Sequence, residues 1–100
     1  MVLRGLDFPT QQIKELCRSY QVRELALFGS ALREDFDVQS DIDLLVEFEP
    51  AARVSFITLA QMQRKLSTLL QRRVDLVPKS GLKPRIRQSV LASAEVIYAA

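Results

Sequence analysis

Asp41 and Asp43 stand two residues apart at the start of an apolar run that extends to Phe48, and a third aspartate, Asp75, lies between Val74 and Leu76 in another short apolar run. The side-chain period of a strand is two, so Asp41 and Asp43 share one face while Ile42 points into the core. Like charges held side by side repel, and a cation between them removes that cost. Oxygen ligands without His or Cys suit Mg²⁺ or Mn²⁺ rather than zinc. The same alternation turns Asp75 to one side of its strand and Val74 and Leu76 to the other. A charge in the middle of a central strand is costly unless it is paired or metal-bound. If the two strands are neighbours, the three carboxylates converge on one metal cluster. Each acid alone has a plainer explanation. A D-x-D pair is more often a solvated strand start, and a lone Asp75 pairs more often with Arg72, Arg73 or a helix residue.

Gly29-Ser30 shifts that balance. A glycine at a strand-to-loop corner allows close approach to a ligand, and the serine adds a hydroxyl donor. Backbone N–H groups at such a corner form an anion site, within reach of Arg33 three residues on. An anion cradle beside metal-binding carboxylates is what a nucleoside triphosphate needs. Other chemistries are excluded by composition. The chain has no histidine, which removes Ser-His-Asp and Cys-His mechanisms and His-bearing zinc sites. With three glycines and no G-x-x-x-x-G-K-[ST] sequence, it has neither a P-loop nor a dinucleotide-type glycine-rich loop.

Apolar periodicity gives the elements that position these residues. Ile13, Leu16, Cys17 and Tyr20 fall on one face of a helix starting near Thr10, with Pro9 before a capping hydroxyl. Cys17 reads there as a small core residue rather than a nucleophile. Leu25 to Phe28 is a first strand and Ile42 to Phe48 a second, ended by Pro50. Residues 31 to 40 are a polar loop holding at most one helical turn. A long helix from about Ser55 to Gln71 carries the stripe Phe56, Leu59, Met62, Leu66, Leu69 and Leu70. Arg73 to Val77 is a third strand, and a last helix begins near Lys83-Pro84 with Ile86, Val90, Leu91, Ala94 and Ile97 toward the core. A three-stranded sheet backed by helices is expected.

A chain of 100 residues with 48% hydrophobic and 26% charged residues is one globular domain, spanning 1–100. No uninterrupted apolar run exceeds five residues, so no membrane-spanning helix is expected. No secretory signal is visible, and the single cysteine fits a reducing compartment, so a cytoplasmic location is expected. The net charge of +2 hides an asymmetry. Residues 34–49 carry seven acids and no base, whereas residues 72–87 carry six bases against one acid. The basic stretch suits phosphates, nucleic acid or an acidic partner. Direct nucleic-acid binding is not expected, because no helix-turn-helix spacing or zinc module accompanies the charge.

Leu27-Phe28-Gly29-Ser30, ten residues, then Asp41-Ile42-Asp43-Leu44 resembles the G-S-x10-D-x-D signature of the DNA polymerase β-like nucleotidyltransferases. LFGSALRE, SDIDLLVEF, VDLV and GLKPRIR together resemble the minimal nucleotidyltransferase (MNT) antitoxins encoded beside HEPN-domain toxins. The resemblance runs from about Glu24 to Ala100. It implies the nucleotidyltransferase fold, an α/β (α+β) class with a small mixed three-stranded sheet in the order α-β-α-β-α-β-α. The implied reaction transfers AMP from ATP to a hydroxyl, a tyrosine of a partner HEPN toxin, so that the chain acts as its antitoxin. Gly29 and Ser30, with Arg33, then hold the triphosphate. Asp41 and Asp43 ligate Mg²⁺, two ions in all, and Asp75 completes the site and activates the acceptor. Ala31 and Glu34 depart from the family's G-S-R-A-R-G, removing one cation and one flexible residue. Two other functions fit the same residues: an inactive antitoxin that neutralises by binding alone, and a nucleotidyltransferase acting on RNA ends.

Overall fold

The computed structural model describes residues 2, 3, 5–29 and 41–100. Two short strands, β1 (Val2–Leu3) and β2 (Leu6–Asp7), pair antiparallel around a turn with Gly5 at φ 77°. The chain then dips inward, burying Leu6 and Phe8. Helix α1 (Thr10–Ser19) buries Ile13 and Cys17, with Leu16 and Tyr20 packed beside them, as the apolar spacing requires. Its start differs from expectation. Pro9 is the N-cap and no side chain caps the helix, while the Thr10 hydroxyl donates back to the Phe8 carbonyl at 3.4 Å.

Strands β3 (Val22–Phe28) and β4 (Ile42–Phe48) are antiparallel neighbours. Helix α2 (Phe56–Leu70) follows, its first turn capped by Ser55 Oγ accepting from the Thr58 N–H at 3.2 Å. Its last turn ends on Gln71 in the left-handed conformation, φ 53°. The chain returns as β5 (Val74–Pro78), parallel to β4, in the crossover such pairs require. A 3-10 turn at Lys79–Gly81 leads to α3 (Pro84–Ser93), with Pro84 in the first turn.

The end of the chain corrects the expected architecture. Ile97 continues the apolar spacing of α3, yet the helix stops at Ala94, whose φ −63° and ψ 141° are extended. Glu95–Ala99 then forms β6, antiparallel to β3. Val96, Ile97 and Tyr98 are β-branched or aromatic, types that favour a pleated surface, and β3 otherwise has an open edge for them to pair with. The mixed sheet therefore has four strands rather than three, in the order β5-β4-β3-β6. The helical turn expected within residues 31 to 40 lies outside the described residues.

The sheet buries both faces. Against one, α1 and α2 enclose Ile13, Cys17, Leu25, Leu27, Leu44, Met62, Leu66 and Leu76, the main core. On the other, Ala26, Leu45 and Leu82 are covered with Phe28, Val77, Val90 of α3 and Ala94 just after it. Among the described residues, no helix is long and apolar enough to cross a membrane.

Candidate active site

The strand registers set the candidate residues in a row. Phe28 at the end of β3 is the antiparallel partner of Asp43 in β4. Asp43 is in turn the parallel partner of Asp75 in β5. Register partners have side chains on the same face, here the face of Leu45 and Val77, which carries the smaller core. Ile42 and Leu44, flanking Asp43, and Val74 and Leu76, flanking Asp75, are buried on the other side. Alternation thus puts two carboxylates together on the face opposite α1 and α2. The Ile42 N–H donates to the Arg73 carbonyl at 2.9 Å, fixing this register where the acids begin.

Gly29 follows directly on Phe28 with φ 71°, a conformation that favours glycine. A Cβ there would collide with Asp43 Oδ2 and lie 3.0 Å from the carboxyl carbon and 3.1 Å from Asp43 Cβ. The missing side chain therefore leaves room for the Asp43 carboxylate to lie against the strand end. Ser30 and Arg33, the expected partners of a triphosphate beside Gly29, lie outside the described residues.

Asp75 differs from expectation in one respect. Among the described residues β5 is an edge strand, paired in the sheet with β4 alone, and Asp75 is exposed. No burial cost forces a partner on it, and its side chain makes no ion pair or hydrogen bond among the described residues. Asp41 is half-buried just before β4, with Oδ1 3.9 Å from Nε of the exposed Arg73. Such an exposed pair is weak. Among the described residues, no group of three or more His, Cys, Asp or Glu side chains is placed to hold a metal ion. Of the three carboxylates expected to converge, Asp43 and Asp75 are in register on adjacent strands, while Asp41 lies just before β4 beside Arg73. Asp43 and Asp75 nevertheless offer hard oxygen donors from adjacent strands, a donor set that fits a small divalent cation such as Mg²⁺.

An open groove of about 550 Å³ lies elsewhere, between α1 and α2, lined by Leu16, Arg64, Lys65 and Thr68 among others and by none of the three aspartates. Apart from Arg73, the bases Lys79 and Arg87 lie away from the three aspartates along the strands. Lys79 Nζ lies 3.6 Å from Glu47 Oε2, and Arg87 donates to the Lys79 carbonyl at 3.0 Å, both near the far end of β4. Two residues that the sequence reading passed over, Gln63 and Ser67 of α2, bond directly to β5 on either side of Asp75.

The sheet thus presents Asp43 and Asp75 in register, with Gly29 against the first of them. A family model described as nucleotidyltransferase domain matches residues 10–97, and the chain belongs to that family. Over 89 residues it is 42% identical to the protein adenylyltransferase MntA of Thermococcus cleftensis, with 89% of this chain and 86% of that protein covered. It matches a crystal structure of a toxin–antitoxin with AMP-PNP at TM-score 0.73 and 24% identity, over 93% of this chain and 75% of that one. A structure of tri-AMPylated Shewanella oneidensis HEPN toxin in complex with MNT antitoxin matches at TM-score 0.65 and 24% identity, over 91% and 70% of the two chains. At that identity, these two structures establish the likeness of fold.

Proposed function

We propose that the chain is a Mg²⁺-dependent protein adenylyltransferase that moves AMP from ATP to a tyrosine hydroxyl of a HEPN-domain toxin and thereby acts as its antitoxin. The observation that carries this reading is the in-register pair Asp43 and Asp75, with Gly29 against the first of them. The likeness to the Thermococcus adenylyltransferase supports the same chemistry. A chain that only masked a toxin would have no need to hold two carboxylates side by side on adjacent strands.

In the transfer, the acceptor oxygen attacks the α-phosphorus of ATP. The bond from that phosphorus to the bridging oxygen of the β-phosphate breaks, and pyrophosphate leaves. The hydroxyl proton passes to a carboxylate, for which Asp75 is suited, being exposed on the site's face and reachable by a large acceptor. Asp43 and Asp75, with Asp41 turned from Arg73, would hold the metal. Bound Mg²⁺ supplies charge neutralisation to the phosphates and acidifies the acceptor, which makes a histidine base unnecessary. Gly29 and Ser30, with Arg33, are assigned to the triphosphate.

The test is to incubate the purified chain with ATP, Mg²⁺ and a HEPN-domain partner, then weigh the partner by intact mass spectrometry. A gain of one or more AMP units, lost with Asp41→Ala/Asp43→Ala, supports the reading. An unmodified partner held in a stable complex would replace it with neutralisation by binding alone.

A further inference from the structure

An edge strand leaves alternate backbone N–H and C=O groups unpaired along its outer side. β5 is such a strand, yet its outward amides are satisfied. In the parallel pairing with β4, Asp75 directs its backbone toward β4, and Val74 and Leu76 direct theirs outward. The Val74 N–H donates to Ser67 Oγ at 3.1 Å, and the Leu76 N–H donates to Gln63 Oε1 at 2.8 Å. The Ser67 hydroxyl in turn donates to the Gln63 carbonyl at 3.0 Å, so its oxygen is both donor and acceptor.

The match is geometric. Residues 63 and 67 are one helical step apart, a rise of about 6.0 Å, and the two strand amides are separated by about 6.6 Å. The two acceptors therefore meet the two donors that bracket Asp75. A slip of β5 by one residue would turn Asp75 to the core face and lose both bonds. Burial of Val74 and Leu76 opposes that slip, and the two directional acceptors add to it by fixing the strand's position along the helix.

We infer that Gln63 and Ser67 are positioning residues, which hold β5 so that Asp75 stays beside Asp43. This rests on the function proposed above, in which both carboxylates act on one metal and one acceptor. Neither α2 residue touches nucleotide or acceptor; each acts through the backbone of β5.

The test uses the full chain with Gln63→Met, which keeps length and removes the acceptor, Gln63→Glu, which keeps an acceptor oxygen, and Ser67→Ala. Three quantities are measured: amide hydrogen exchange at Val74 and Leu76, affinity for Mn²⁺ alone by water-proton relaxation, and kcat with ATP KM for transfer. Gln63→Met is expected to speed exchange at Leu76 by about tenfold or more while Val74 keeps its protection. It should weaken Mn²⁺ binding about three- to tenfold and lower kcat by about tenfold with ATP KM little changed. Gln63→Glu should restore most of these, and Ser67→Ala should move the exchange effect to Val74. Faster exchange at Leu76 with unchanged Mn²⁺ affinity and kcat would overturn the proposal and leave a simple cover for a strand edge. Unchanged exchange would overturn it as well. A wild-type chain that binds no Mn²⁺ and transfers no AMP would overturn the functional reading itself, and the exchange data would still report whether the clamp exists.

Discussion

Gly29 and Asp43 occupy one space: the carboxylate of Asp43 lies where any side chain at position 29 would have to begin. The contact joins β3 to β4 at the point where the strands stop, and it makes the glycine a condition for the placement of the acid. A second glycine offers an internal control. Gly5 has a similar φ of 77°, but a Cβ there would meet nothing within 4 Å. Gly5→Ala is therefore expected to cost only the backbone strain of a left-handed residue, about 1 kcal/mol. Gly29→Ala should cost about 2 kcal/mol or more, since it adds a collision. Denaturant unfolding of the two variants measures the difference, and Asp43→Ala in the Gly29→Ala background should recover part of it.

Asp75 should be separable into chemistry and stability. It is exposed and makes no contact among the described residues that folding would lose, so Asp75→Asn should change unfolding free energy by less than about 0.5 kcal/mol. AMP transfer should fall by about a hundredfold or more, through loss of the proton acceptor and a metal ligand. Parallel thermal melts and transfer rates check both halves.

Metal binding should register as stability. A ligand that binds only the folded state at tenfold its Kd adds about 1.4 kcal/mol. Mg²⁺ should raise the melting temperature of the wild-type chain, and EDTA should reverse this. Asp43→Asn should abolish the increment, and EDTA should end transfer without unfolding the protein.

Cys17 provides a pH-dependent probe of the core. Burial pushes its thiol up from 9.0 to about 12. The unfolded chain ionises first, near pH 9, so the stability contributed by the buried neutral thiol is complete below that pH. It declines between about 9 and 12. The alkaline loss of stability should be shallower in Cys17→Ala than in the wild type. Iodoacetamide should label the native protein only as fast as it opens, and promptly in denaturant.

The sequence makes the carboxylate pair legible because apolar neighbours declare the direction of each side chain. Ile42 and Leu44 frame Asp43, and Val74 and Leu76 frame Asp75. Helix α2 is equally plain from Leu59, Met62, Leu66 and Leu70, although Phe56, expected in the same stripe, is exposed. Strand β6 is not, because Ile97 lies at a helical spacing from Val90 and Ala94, and only the open edge of β3 decides between helix and strand. The exposure of Asp75 follows from strand order, which local pattern does not encode. The same is true of Gln63 and Ser67. They read as the polar flank of an amphipathic helix until β5 is laid beside them. Asp41 stands one residue before β4 begins, so strand alternation alone does not set its direction.

The most direct test compares transfer from ATP labelled at the α-phosphate with transfer from ATP labelled at the γ-phosphate, using a HEPN-domain partner, the wild-type chain and Asp43→Asn. Nucleotidyl transfer requires label on the partner from the α position, none from the γ position, and none from either with Asp43→Asn. Label from the γ position would mean phosphoryl transfer, and α-label undiminished in Asp43→Asn would place the chemistry away from the Gly29–Asp43–Asp75 row; either result contradicts the proposed site.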